Sequence, residues 1–98
     1  MKAERVIFRT EWNEYLDKDT LLAVFPDDDA NLGRICYVPF YFLGDETIWY
    51  EPYGEMAVDY YYRNTKPVKD AELIGKCIQA LTVRYGGKYQ SMQKIIRG

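Results

Sequence analysis

Histidine is absent from this chain of 98 residues, and serine occurs once, at Ser91. Without imidazole the commonest general base near neutral pH is missing, together with the commonest metal ligand and every catalytic triad that needs it. Cysteine is scarce as well. Cys36 and Cys77 lie far apart and match no metal or redox spacing, so they read as reduced thiols that behave as small buried hydrophobes. No apolar stretch approaches the roughly 20 residues of a membrane span. The segment Met1 to Arg9 lacks the apolar run of a signal peptide, which leads us to expect a cytoplasmic protein with no membrane partner. There is no Walker-type or dinucleotide glycine pattern; Gly86-Gly87 follows a helical pattern and reads as its cap. No cofactor is therefore expected.

Two acidic features stop short of a metal or catalytic motif. Asp27, Asp29 and Asn31 have the alternating oxygens of a calcium loop, but Leu32 and Val38 stand where such a loop needs Gly and Glu. A hydrated turn is the favoured reading, ahead of an acidic contact for a partner and well ahead of a metal site. Asp45, Glu46, Glu51, Glu55 and Asp59 offer carboxylate pairs, as any acidic protein does.

What the chain does contain is a globular composition, 48% hydrophobic against 29% charged, which fits one domain over residues 1–98. Ten of its residues are tyrosine, whose hydroxyls seek water or a partner, so several rings should sit half-exposed. Net charge is −2, unevenly spread. Residues 10–59 hold 12 acidic side chains against Lys18 and Arg34, and residues 60–98 hold eight basic ones against Asp70 and Glu72. Such asymmetry can signal a charged partner, or two halves that neutralise each other on folding.

Arg5 to Arg9 and Leu21 to Phe25 read as strands joined into an antiparallel hairpin by a turn at Asp17-Lys18-Asp19. Arg34 to Leu43 is the longest strand candidate. It carries Cys36, Val38, Phe40 and Phe42 on one face and Ile35, Tyr37 and Tyr41 on the other, and Pro39 should place it at an edge or a bulge. Thr47 to Tyr50 and Met56 to Tyr62 follow as further strands. The clearest helix runs from Asp70, an N-cap, to Gly86, with Leu73, Ile74, Cys77, Ile78, Leu81 and Tyr85 as its apolar stripe. Lys88 to Arg97 reads as a last strand that returns Ile95 or Ile96 to the core. The expected fold is α+β: a mostly antiparallel sheet of about four to six strands, with one amphipathic helix over about 70–85 packed on one face and a C-terminal strand after it. The other sheet face would meet water or a partner.

Three segments, Arg5 to Arg9, Leu22 to Pro26 and Asp59 to Pro67, resemble a group of small proteins carried by bacterial phages and mobile elements. Those proteins share a similar strand pair, and a tyrosine-rich run followed by Thr-Lys-Pro and an acidic helix. The resemblance implies a genomic setting and no particular activity. Members tend to carry histidines in the stretch matching Tyr41 to Tyr53; this chain has none, so no role of theirs carries over.

Ten of the 26 residues from Tyr37 to Tyr62 are aromatic, more than one helix on a small sheet should cover. Tyr and Trp are enriched at protein interfaces because they bring large rigid area at low entropic cost. We therefore expect a non-enzymatic protein-interaction module, a small regulator or inhibitor of a host system. Its contacts would come from Trp49, Tyr50, Tyr53, Tyr60 and Tyr61, flanked by the acidic Asp27, Asp28 and Asp29, with a second copy (a homodimer) or a host factor as partner. The alternative is a nucleic-acid or nucleotide-binding domain that stacks bases on Tyr61 and neutralises phosphate with Arg63, Lys66, Lys88, Lys94 and Arg97. The net acidic balance makes nucleic acid the lesser expectation.

Overall fold

The apolar run Val6-Ile7-Phe8 lies in β1 (Glu4–Asn13), which returns as an antiparallel hairpin along β2 (Lys18–Phe25), with Ile7 opposite Val24 and Arg9 opposite Leu22. The computed structural model describes residues 3–28, 33–50 and 54–93, and structural statements concern those residues. The hairpin expectation holds, but its turn occupies residues 14–17, so Lys18 and Asp19 already belong to β2. The side-chain carbonyl of Asn13 accepts from the Leu16 amide at 3.1 Å, and Asp17 takes a left-handed φ of 53°. Asparagine and aspartate tolerate these tight-turn geometries better than bulkier residues, which fixes the bend here.

β3 (Arg34–Leu43) pairs with β2 on one side; on the other it pairs first with β5 (Gly54–Ala57) and then with β4 (Glu46–Trp49). It is thus an interior strand, contrary to the expectation drawn from Pro39. The reason is local. The Pro39 carbonyl accepts from the Tyr50 amide at 3.1 Å, so the proline nitrogen faces the side where the partner changes from β4 to β5. Its missing donor removes no bond to β2.

After β5 the chain forms α1 (Val58–Asn64), where alternation at Met56, Val58, Tyr60 and Tyr62 had pointed to a strand. Helical spacing decides instead: Val58, Tyr61 and Thr65 face inward while Tyr60 and Tyr62 face out. β6 (Lys66–Pro67) then pairs with β1, and α2 (Ala71–Tyr85) follows. Asp70 caps α2 by accepting from the Glu72 amide at 2.9 Å. Gly86 ends it at φ 73°, where an L side chain would be strained, and donates to the Thr82 carbonyl. β7 (Tyr89–Ser91) is the C-terminal strand, shorter than expected and parallel to β1, so the sheet is mixed; residues 94–98 lie outside the described residues. The strand order is β4-β3-β2-β1-β6, with β5 on β3 and β7 on β1.

Both faces of this sheet are covered. On one, α2 packs Leu73, Ile74, Cys77, Ile78 and Leu81 against Val6, Phe8, Leu21, Ala23, Phe25, Val38 and Phe40. On the other, the expected open face, α1 lays Tyr61 over Ile7, Leu22, Val24, Ile35 and Met56. Each aliphatic or aromatic side chain fully buried this way contributes roughly 1.5–3 kcal/mol.

Candidate interaction surface

The two helices leave different parts of the sheet uncovered, and this sorts the expected contact residues. Trp49 and Tyr50 are neighbours in sequence, so they project to opposite faces. Trp49 lies half-buried on the α2 side, stacked on Phe40 at 4.7 Å between centroids and edge-on to Tyr85 at 5.9 Å. Tyr50 is exposed on the α1 side beside Tyr41, with centroids 5.7 Å apart. They belong to one edge but not to one patch.

Tyr60 is exposed on α1 and donates its hydroxyl proton to the Glu11 carboxylate across the sheet face. That hydrogen bond, helped by partial burial and by the Glu11 charge, pushes the Tyr60 phenol up to about 12. Tyr61, expected as a contact or a stacking platform, is 1% exposed and is a core residue instead. Its placement depends on Arg9, a buried cation with no carboxylate partner among the described residues. The Arg9 guanidinium donates to the Thr65 hydroxyl at 2.8 Å, the Thr65 carbonyl at 2.7 Å and the Tyr61 carbonyl at 3.3 Å, and it lies 4.4 Å from the Tyr61 ring centre. A cation is thereby set against carbonyls at the C-terminus of α1, where the helix field favours positive charge, and the Thr65 hydroxyl donates in turn to the Tyr61 carbonyl.

Asp27 is held by an ion pair with Arg5, and Asp28 is exposed next to it. Burial, followed by the charges of Asp28 and Asp27, raises the Glu4 carboxyl above its ordinary value. Arg63, Lys66 and Lys88 are exposed but spread over α1, β6 and the segment after α2, with no exposed ring of Tyr61 between them. Tyr53, Asp29, Lys94 and Arg97 lie outside the described residues. Among the described residues no group of His, Cys, Asp and Glu could hold a metal, and no helix is long and apolar enough to cross a membrane. Cys77 is buried, and burial pushes its thiol up to about 12.

A groove combines residues that the aromatic pattern alone does not select. It measures about 630 Å³ and runs between α2 and the β3–β4 hairpin, floored by Phe42, Thr47, Trp49 and Ala80 and bordered by Asp45, Lys76, Gln79, Val83 and Arg84. The Lys76 ammonium lies 4.3 Å from the Phe42 ring centre and the Arg84 guanidinium 4.9 Å from that of Trp49. Both contacts fall within the range of attraction between a cation and an aromatic quadrupole. Val83 on the rim, in the last turn of α2, is 80% exposed. The signal was present in the sequence: Lys76, Ala80, Val83 and Arg84 recur at helical spacing as a second stripe beside the apolar one.

Beside the groove lies an unpaired backbone edge. β4 ends the strand order, and the Tyr50 amide bonds to Pro39, so Tyr50, Ile48 and Glu46 direct their peptide groups toward β3. Thr47 and Trp49 then direct theirs outward, as antiparallel alternation requires, and meet no backbone partner among the described residues. No family model matches the chain, and no curated protein or solved structure matches it.

Proposed function

We propose that this protein is a non-enzymatic binding protein, a protein-interaction module that engages its partner along the β4 edge and the groove beside it. The observation that carries this reading is the coincidence of outward peptide groups at Thr47 and Trp49 with exposed or half-exposed rings on both sides of the same strand. An extended segment adding to β4 would gain main-chain hydrogen bonds. Its alternate side chains would meet Trp49, Phe42 and Val83 on one side and Tyr41 and Tyr50 on the other. Lys76 and Arg84 favour a segment that carries carboxylates. The resemblance to small proteins of phages and mobile elements supports the narrower role of a regulator or inhibitor of a host system. Burial of Tyr61 and the scatter of Arg63, Lys66 and Lys88 speak against nucleic acid.

Immobilised protein should retain a host protein in a way that nuclease treatment leaves unchanged. Trp49→Ala combined with Val83→Glu should lose that protein while keeping the wild-type circular dichroism. Equal retention by the variant, or retention that nuclease abolishes, overturns the proposal.

A further inference from the structure

The most solvent-exposed aromatic side chain among the described residues is far from the groove in sequence, yet its surroundings match the groove's chemistry. Tyr15, in the turn between β1 and β2, is 100% exposed, and Trp12 at the end of β1 is 56% exposed. Around them stand Glu14, Asp17 and Asp19, all exposed and none in an ion pair among the described residues. The one cation of this tip, Lys18, lies over the Tyr41 ring at 3.9 Å instead of beside those carboxylates. The Leu16 amide donates to the Asn13 side chain and holds the turn, so docking orders the side chains it carries without first ordering the bend. The groove is lined by apolar and aromatic surface from Val83 and Trp49 and by two cations, Lys76 and Arg84, against the single carboxylate of Asp45, with neither cation in an ion pair among the described residues.

We infer that the groove between α2 and β4 accepts the β1–β2 hairpin tip of a second copy of this chain. Tyr15 or Trp12 supplies the apolar anchor, while Glu14 and Asp17 approach Lys76 and Arg84. The inference rests on the reading of the groove as a protein-docking surface and names its occupant. Tip and groove are different patches, so the contact is heterologous: each copy retains one unused tip or groove until a ring closes or a chain ends. The acidic first half and basic second half of the sequence thereby neutralise each other between copies as well as within one. Raised ionic strength should weaken association, because rim charges are screened within about 10 Å at 0.1 M salt.

Sedimentation of the full chain tests this. Wild type should associate as its concentration approaches about 1 mM. A tip variant, Tyr15→Ala with Glu14→Lys, and a groove variant, Lys76→Glu with Val83→Glu, should each associate roughly 30-fold more weakly, the scale of losing one hot spot. All four positions are exposed, so both variants should melt as wild type does. An equimolar mixture of the two variants should form a one-to-one pair, since one retains a working groove and the other a working tip. A wild type that stays monomeric, or a mixture that does, overturns the inference. Monomeric wild type that still retains a host protein through the groove would leave the docking reading standing, whereas loss of both would remove it as well.

Discussion

The two faces of the sheet are closed by opposite means. Under α2 the cover is apolar area delivered by a regular stripe on a 15-residue helix capped at both ends. Under α1 the cover is a seven-residue helix with no side-chain cap at its start, held at its end by the buried Arg9. A helix this short is unstable alone, since so few residues cannot offset the cost of nucleation. One face is thus secured by many small contacts, the other by one ring and one polar network.

The contrast can be broken most severely on the α2 side. Phe40 is fully buried and meets the rings of Phe8, Phe42 and Trp49. Phe40→Ala should cost about 3–5 kcal/mol in urea denaturation, a large share of the stability of a small domain, and it should loosen the floor of the groove. On the α1 side, Arg9→Met keeps an apolar stem but takes the guanidinium donor from the Thr65 carbonyl and hydroxyl, while the Tyr61 carbonyl keeps only the Thr65 hydroxyl. A loss of roughly 1–3 kcal/mol is expected. Hydrogen exchange should accelerate in α1 before α2; equal acceleration in both helices would show that the two faces are not separately held. Asp70→Ala removes the α2 cap and should cost about 1 kcal/mol by the same assay.

The smallest effect is the Tyr60–Glu11 bond, best seen as a pH dependence. A phenol whose folded pKa is raised favours the protonated folded state, so its contribution is complete below the unfolded value of 10.0 and is lost as pH rises through about 12. Wild type should therefore lose stability relative to Tyr60→Phe across that window. Parallel curves would mean that this bond does not tie α1 to β1.

The same contrast explains what was legible in the sequence. The β1–β2 hairpin, β3 and α2 follow from apolar periodicity and from Asp70 and Gly86, signals that act within a few residues. For residues 56–65 two periods compete. Alternation marks Met56, Val58, Tyr60 and Tyr62, and helical spacing marks Val58, Tyr61 and Thr65; the choice between them depends on Arg9, 52 residues from Tyr61 in the chain. A long-range polar anchor leaves no local pattern. The parallel pairing of β7 with β1 is hidden for a similar reason. Of the site, Trp49 and Tyr50 were visible as an aromatic surplus, yet their opposite orientations follow only once β4 is known to be an edge strand. The groove needed a helix and a hairpin from distant segments to be brought side by side.

Photo-crosslinking from the groove tests the central claim most directly. With a benzophenone side chain in place of Val83, irradiation in host extract should yield a discrete protein adduct, whereas the same side chain at Glu72, exposed at the start of α2 outside the groove lining, should yield none. Equal labelling from both positions, or none from either, would contradict the assignment of this surface to a protein partner.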